Sequence, residues 1–159
     1  MDITIKKMET EAEIRGKAYV HWRAWQEAYP GLVSPAYLEK LSLEKCEQIA
    51  FQWPENTLVA KEGERVLGFV CYGEESGEAP GTGEIFALYV LAERYGTGLG
   101  RRLMDAGMEQ LRGCDQIRLW VLQGNERAIR FYEKCGFRPD GEEKELPALS
   151  AREIRMIRR

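Results

Sequence analysis

The sequence predicts a mixed α/β domain, with an antiparallel front half followed by a strand–helix–strand–helix back half. Two β-rich segments at 57–61 and 66–72 are joined by a short polar turn that contains Gly63, which is typical of an antiparallel hairpin. Farther along, apolar strands at 84–91 and 117–122 are each followed by a helical pattern of apolar residues. These observations define the predicted class, α/β with α+β character.

Composition limits both the domain organisation and the function classes. The chain has 159 residues, of which 44% are hydrophobic, enough for one core and a single domain over 1–159. No run of about 18 apolar residues predicts a membrane span, and the N-terminus lacks the apolar block of a signal peptide. The net charge of −3 gives no reason to expect a nucleic-acid partner. We therefore expect neither membrane nor nucleic acid as a partner.

The cysteines and the single histidine do not form a metal-binding pattern. Four cysteines are scattered without a Cys-x-x-Cys pair, at positions Cys46, Cys71, Cys114 and Cys135. This spacing argues against a zinc site and against a disulfide framework. We expect no metal, and we expect a reducing, cytoplasmic location.

The N-terminal region is predicted to contain a strand and three helices. Alternating isoleucines indicate a strand at 3–5. Thr10 followed by Glu13 forms a capping box, in which each side chain satisfies a backbone N–H at the start of a helix that runs to about 29. Serine N-caps then predict two shorter helices, at 35–41 and 42–53.

The first helix presents an aromatic face. Trp22, Trp25 and Tyr29 are spaced to share one side of the helix. That face either packs on the sheet or lines a substrate pocket in part, and we treat these three residues as candidates for the pocket. His21 lies beside them, and a lone helical histidine is not sufficient to assign a catalytic role.

The remaining elements follow the hairpin in order. Segment 74–83 is polar and rich in Gly and Glu, which predicts a loop. The expected elements after it are a strand at 84–91, a helix at about 98–112, a strand at 117–122, a helix at 125–136, a short strand at 137–141 and a half-exposed strand at 152–157.

A glycine-rich turn at 94–104 joins the strand at 84–91 to the next helix. Gly96, Gly98 and Gly100 alternate there, so the backbone can approach a ligand without obstruction by Cβ atoms. The helix that follows begins with free N–H groups and the positive end of its dipole, which suits an anion such as pyrophosphate. The spacing fits neither a Walker motif nor a dinucleotide fingerprint. On the turn alone, phosphate binding and a tight connection both remain open.

A second motif links this turn to a known family. The pattern Asn-x-x-Ala-x-x-x-Tyr-x-x-x-Gly-Phe, from Asn125 to Phe137, closely resembles motif B of the GNAT acetyltransferase superfamily. The turn from Tyr95 to Gly100 resembles motif A, whose usual form is Gln/Arg-x-x-Gly-x-Gly/Ala, although Tyr95 replaces the expected Gln or Arg. With the preceding strand, the resemblance covers roughly residues 84 to 140.

The resemblance implies both a fold and an activity. The implied fold is a single GNAT-like domain with a mixed, mostly antiparallel central sheet, a splayed parallel pair and helices on both faces. The implied activity is the transfer of an acetyl group from acetyl-CoA, as co-substrate, to a primary amine of a small molecule or peptide by direct attack in a ternary complex. Because relatives often dimerise, a second copy of the chain is a candidate partner.

The resemblance also assigns residues to the donor. Strand residues would offer backbone groups to the pantetheine amides, the turn would cradle the pyrophosphate through N–H groups, and Asn125 would reach the cofactor from the head of the next helix. The implied donor-binding residues are Leu88, Tyr89, Val90, Tyr95, Gly96, Thr97, Gly98, Leu99, Gly100, Arg101, Asn125 and Tyr132.

Two residues are candidates for proton transfer. Tyr132 lies two turns below Asn125, and the resemblance places its hydroxyl beside the CoA sulfur, where it would act as an acid. An alkylammonium has a pKa near 10, so the acceptor must lose a proton. Glu84 shares strand parity with Leu88 and Val90 and could act as the base through a water. A bulge would reverse that parity, and Glu84 is otherwise a solvated charge.

Two other functions and several acceptors remain open. The chain would also fit a non-catalytic acyl-CoA-binding or sensor domain, or a transferase of another acyl group. An aromatic-walled pocket that includes Tyr37 would suit a polyamine held by cation–π contacts, an aromatic amine or a peptide N-terminus. The sequence predicts only that the acceptor is an amine.

Overall fold

The computed structural model describes residues 2–74 and 81–159, which form a seven-stranded sheet in the order β1-β2-β3-β4-β5-β7-β6 with helices on both faces. The elements are β1 (Ile3–Lys7), α1 (Glu11–Ala28), α2 (Pro35–Lys40), α3 (Leu43–Gln52), β2 (Thr57–Glu62), β3 (Arg65–Glu74), β4 (Thr82–Val90), α4 (Leu99–Gln110), β5 (Gln116–Leu122), α5 (Glu126–Lys134), β6 (Arg138–Leu146) and β7 (Ala151–Arg158). In the part of the chain described, no helix combines the length and apolar character that crossing a bilayer requires.

The sheet is antiparallel except between its fourth and fifth strands. β4 and β5 run parallel and are paired only from Thr82 opposite Gln116 to Ile85 opposite Leu119. Beyond this point both strands continue, to Val90 and Leu122 respectively, without pairing to each other. The predicted mixed sheet with a splayed parallel pair is therefore confirmed.

A β-bulge interrupts β4 just where the two strands separate. Ile85 and Ala87 pair with consecutive residues of β3, so Phe86 is an extra residue without a partner of its own. Its side chain is 58% exposed, although it is aromatic. A bulge changes which face of the sheet each following side chain occupies.

The bulge overturns the parity expected for Glu84. Ile85 lies against α4, whereas Tyr89 lies against His21 of α1 on the opposite face. Counted through the bulge, Glu84 shares its face with Tyr89 rather than with Leu88 and Val90. The expectation that Glu84 shares a face with those two residues is wrong, because Phe86 is an extra residue in β4 and shifts the alternation of the side chains that follow it.

Three apolar clusters hold the layers together. The main core joins the central strands to α4, whose Leu103 and Met104 are fully buried. A smaller cluster lies between α1 and α3, and a third joins the end of α1 to α2 and β5 through Tyr29 and Leu122. The third cluster matters for function, because it fixes the end of α1 over the region where β4 and β5 separate.

Two segments differ from the sequence-based expectation. The last hairpin is longer than expected, since β6 extends to Leu146 along a strand that is exposed over most of its length. Its run of charged residues has no apolar alternation, so no strand is predicted there from periodicity. The loop expected at 74–83 is shorter, because Glu74 ends β3 and Thr82 begins β4, and the part at 75–80 lies outside the described residues.

The predicted capping box is present at the start of α1 and is part of a buried ionic network. The Glu13 N–H donates to Thr10 Oγ1 at 3.1 Å, and the Glu13 carboxylate accepts from the Thr10 N–H. That carboxylate also accepts from Lys6 at 2.6 Å and Lys61 at 3.1 Å, although Glu13 is only 3% exposed. Burial alone would raise the pKa of Glu13, but these hydrogen bonds outweigh it and hold the pKa well below its ordinary value of 4.5.

We expect Glu13→Gln to lower the free energy of unfolding by about 2 kcal/mol at pH 7, because it removes charge-assisted hydrogen bonds from a buried network. The folded-state pKa is depressed, so this contribution is present above the unfolded pKa and is lost as the pH falls through the folded pKa. Urea unfolding at pH 7 and pH 3 should show the difference shrinking at the lower pH. Glu11→Gln, at an exposed carboxylate paired with Arg15, should change stability by less than about 0.5 kcal/mol.

Candidate active site

A cavity of about 810 Å³ opens where β4 and β5 separate. Its walls are the diverging ends of these strands and the inner side of α5. The glycine turn lies at one end, and Ala24, Ala28 and Tyr29 of α1 lie at the other together with Glu153 of β7. A cavity of this size is typical of a site for a small molecule or cofactor.

The glycine turn presents unobstructed backbone to the cavity. Gly96 and Gly98 have φ values of 75° and 86°, in the left-handed region that favours glycine, and a Cβ at either would have no atom within 4 Å. α4 begins directly after Gly98 with no side-chain cap. The first N–H groups of this helix therefore remain available, and they suit an anionic ligand.

Basic side chains of α5 surround the same end of the cavity. The Arg127 guanidinium lies over the Tyr95 ring, 3.2 Å from its centroid. Arg130 and Lys134 line the cavity from the same helix. These three residues were not among the predicted site residues. Arg130 and Lys134 follow Arg127 by three and seven positions, a spacing that places all three on one helical face.

Not every predicted donor-binding residue faces the cavity. Tyr95, Gly96, Gly98, Gly100 and Arg101 line it, whereas Thr97 and Leu99 do not. The Thr97 hydroxyl donates to a backbone carbonyl at 2.6 Å, and the Leu99 side chain is buried in the core. Their side chains are thus used by the protein itself, which leaves only backbone groups for a ligand.

The strand residues predicted to contact the donor do line the cavity. Leu88, Tyr89 and Val90 belong to the part of β4 that pairs with β3 but no longer with β5. One edge of this segment therefore faces the cavity with backbone groups that can hydrogen-bond a ligand, as a sheet edge does with an added strand.

Asn125 caps α5 and also lines the cavity. Its side-chain oxygen accepts a hydrogen bond from the Ala128 N–H at 3.4 Å. Because the oxygen is committed to the cap, the side-chain NH₂ is the group through which Asn125 can donate to a ligand.

Three tyrosines converge at the α1 end of the cavity. Tyr29, Tyr89 and Tyr132 all line it, and the Tyr29 and Tyr89 hydroxyls are 3.0 Å apart. Burial, followed by the neighbouring Tyr89, raises the pKa of Tyr132 above its ordinary value of 10.0. Burial likewise raises the pKa of Tyr89 to about 12 and that of Tyr29 well above the ordinary range. All three hydroxyls therefore keep their protons at neutral pH.

His21 lies behind this cluster rather than in the cavity lining. Its ring stacks on Tyr89, with the planes 12° apart and the centroids 6.2 Å apart. Burial, assisted by Lys17, lowers the pKa of His21 to about 4. Its Nδ1 is buried without a hydrogen-bond partner among the described residues. The neutral imidazole thus supports the Tyr89 ring and does not reach the cavity.

Of the three aromatic residues expected to form the pocket, the structure places only Tyr29 in the cavity lining. Trp22 packs against the buried cluster between α1 and α3. The Trp25 ring meets Tyr29 edge-on at 4.7 Å and supports it from behind. The prediction that Trp22 and Trp25 line the cavity is corrected, because the packing of α3 across α1 turns their side of the helix into core.

Glu84 does not line the cavity. It is 9% exposed, and its carboxylate accepts a hydrogen bond from Arg118 Nε on the neighbouring strand at 3.2 Å. Among the described residues, two carboxylates line the cavity, Glu126 at the start of α5 and Glu153 on β7. Sequence reasoning missed Glu153, because its strand is far from both motifs in the chain and joins β5 only in the folded sheet.

Comparison with known proteins identifies the family of the chain. The family model described as "Acetyltransferase (GNAT) family" matches residues 19–137, which include the glycine turn and the Asn125–Phe137 motif. An uncharacterised N-acetyltransferase, YuaI of Bacillus subtilis, is 31% identical over 139 residues, covering 82% of this chain and 78% of that protein. A mycothiol acetyltransferase of Thermobispora bispora is 36% identical over 89 residues, which cover 53% of this chain but only 30% of that protein.

Solved structures show the same fold over the whole chain. PH1933 from Pyrococcus horikoshii superposes with a TM-score of 0.79 at 25% identity, covering 99% of this chain and 98% of that one. The PaiA N-acetyltransferase of Thermoplasma acidophilum, solved in complex with coenzyme A, gives 0.77 at 23% identity and covers 100% of this chain and 99% of that one. The splayed strands, the glycine turn and the family match lead to one conclusion: the chain belongs to the GNAT acetyltransferase family.

Proposed function

We propose that this protein is a single-domain, acetyl-CoA-dependent N-acetyltransferase that acetylates a primary amine of a small molecule or peptide by direct attack in a ternary complex. The observation that carries the proposal is the cavity between the splayed strands. Its lining includes both the glycine turn, which suits phosphate, and Tyr132, whose hydroxyl suits proton transfer. Donor and acceptor can therefore approach the same hydroxyl from opposite ends.

The residues present fit acetyl-CoA as the donor. The uncapped start of α4 suits a pyrophosphate. Arg127, Arg130 and Lys134 add positive charge at that end, and the unpaired edge of β4 suits the pantetheine amides. When bound, acetyl-CoA supplies an acetyl group activated as a thioester.

Tyr132 is the proposed acid. Its raised pKa keeps the proton on the hydroxyl oxygen at neutral pH, where that proton can be given to the departing thiol sulfur. The linked hydroxyls of Tyr29 and Tyr89 lie at the same end of the cavity and help to exclude bulk water.

Glu84 is the proposed base. Glu84 is paired with Arg118 outside the cavity lining, so a role as base would require a water between its carboxylate and the amine. We retain it as a hypothesis. Glu153 has direct access to the cavity, and its charge favours a cationic acceptor there.

The test is the release of CoA thiol from acetyl-CoA in the presence of a panel of primary amines. We expect turnover with at least one amine and binding of CoA by titration calorimetry. Binding of CoA with no turnover of any amine would favour a non-catalytic sensor. Faster turnover of propionyl- or succinyl-CoA would indicate another acyl group, and failure to bind CoA would contradict the proposal altogether.

A further inference from the structure

A lysine of the protein occupies an aromatic and acidic site at the acceptor end of the cavity. The ammonium group of Lys144 lies over the Trp120 ring, 4.2 Å from its centroid. The same Nζ atom is 3.5 Å from the Glu153 carboxylate. An aromatic face combined with a carboxylate is a favourable site for an ammonium ion.

Strand register creates this site. Lys144 of β6 is directly opposite Glu153 of β7, which in turn is opposite Leu122 of β5. Trp120 lies two residues before Leu122 and therefore on the same face of the sheet. Trp120 is directly opposite Arg155, so Trp120 and Glu153 are diagonal neighbours on adjacent strands, and both line the cavity.

Lys144 reaches the site from outside the cavity. It belongs to the edge strand β6, it does not line the cavity, and its side chain is 46% exposed. A long, half-exposed lysine gains little from a pair of this kind, because water competes for both charges. A second ammonium that enters from the cavity can therefore displace it at small cost.

The charges around the cavity favour such a ligand. Basic residues cluster at the donor end, whereas Glu153 lies at the opposite end. Burial is the main cause of the raised pKa values of Tyr29 and Tyr89 at that end, and the negative charge of Glu153 adds to it. The Arg155 guanidinium lies farther from the Trp120 ring than Lys144 does, 5.8 Å from the centroid, and its Nε donates to Asp140 at 2.6 Å. Among the described residues, Lys144 is the ion-pair partner found for Glu153.

We propose that Trp120 and Glu153 bind the non-reacting ammonium of an acceptor that carries two amino groups, and that Lys144 holds this place until the acceptor displaces it. The second, neutral amine would then point toward Tyr132. This inference rests on the proposed function, and it narrows the acceptor class from amines in general to diamines and related polyamines.

Two amines of equal chain length test the proposal. We expect the wild type to acetylate 1,5-diaminopentane with a higher kcat/KM than 1-aminopentane, which lacks the second cation. Glu153→Gln should reduce this preference about tenfold to a hundredfold, mainly through the KM of the diamine, because a charge-assisted contact is lost. An unchanged preference in Glu153→Gln, or no preference in the wild type, would overturn the proposal.

Two further variants separate recognition from general effects of charge. Glu145→Gln removes a carboxylate from the same strand as Lys144, at a residue paired with Arg152 outside the cavity, and should leave the preference unchanged. Lys144→Met should lower the KM of the diamine several-fold, because the internal competitor is removed. A higher KM in Lys144→Met would show that Lys144 assists binding and would contradict displacement.

Failure of this inference can be distinguished from failure of the proposed function. Titration calorimetry of 1,5-diaminopentane into the CoA-saturated protein measures the site without turnover. Diamine binding that Glu153→Gln weakens would support the site even if no amine were acetylated. Turnover of both amines with no effect of Glu153→Gln would reject the site and leave the acetyltransferase assignment intact.

Discussion

Replacement of Tyr132 by Phe is expected to lower kcat about a hundredfold to a thousandfold while leaving the affinity for CoA unchanged. The substitution removes one oxygen from a ring that packs between Phe131 and Phe137, so its apolar contacts are retained. General acid catalysis by a positioned side chain contributes about this much, equivalent to about 3 to 4 kcal/mol of transition-state stabilisation. Steady-state CoA-thiol release gives kcat, and titration calorimetry gives the affinity.

The matched control is Tyr19→Phe. It removes the same oxygen from a tyrosine of α1 that is 41% exposed and lies outside the cavity. We expect wild-type kcat in this variant. Burial keeps the Tyr132 hydroxyl protonated beyond its ordinary pKa of 10.0, so the deficit of Tyr132→Phe should be constant between pH 7 and pH 9. A Tyr132→Phe enzyme with unchanged kcat would remove Tyr132 as the acid.

Features that depend on local sequence were predictable. Thr10 and Glu13 form their capping box because both partners lie within one helical turn. Asn125 caps α5 for a similar reason, and the glycine turn lies at the start of α4 as its spacing indicated. The glycine-turn end of the cavity is built from such short-range patterns, which explains why its structural elements could be predicted from the sequence.

The acceptor end depends on contacts between distant segments, and the prediction failed there. The face of Glu84 is set by the bulge at Phe86, which arises from pairing with β3. Trp22 packs against the cluster between α1 and α3 instead of lining the cavity, and no sequence motif indicates where α3 packs. Glu153 reaches the site only because β7 inserts between β5 and β6. Single-sequence periodicity carries no information about these arrangements.

This division has a functional consequence. In the proposed function, the start of α4 recognises phosphate through backbone N–H groups, so many side chains there can change without loss of the donor. The proposed acceptor end would instead use the side chains of Tyr29, Trp120 and Glu153, which three separate elements contribute to the cavity lining. Substitution of any one of them can alter acceptor choice while the donor site is preserved.

Gly98→Val is expected to raise the dissociation constant for CoA at least about a hundredfold. Gly98 has a φ of 86°, which a β-branched residue adopts only with strain of about 1–2 kcal/mol. Its Cβ would meet no protein atom within 4 Å, so the valine would project into open space at the start of α4, where the phosphate must approach the N–H groups. If the backbone changes conformation to relieve the strain, the N–H groups no longer point toward the ligand. If it does not, the valine side chain blocks the approach of the phosphate to them. Titration calorimetry with CoA gives the dissociation constant directly.

Gly63→Val is the matched control, because it introduces backbone strain at a turn outside the cavity and leaves the CoA site unchanged. Gly63 lies in the β2–β3 hairpin with a φ of 60°, and a Cβ there would likewise meet no atom within 4 Å. Both valine variants should therefore lose a similar amount of unfolding free energy, but only Gly98→Val should lose affinity for CoA. Because both glycines have a positive φ, equal affinities in the two variants would mean that the phosphate does not lie at the start of α4. If only Gly98→Val binds CoA more weakly, Gly98 is required for binding of the donor and not merely for the stability of the fold.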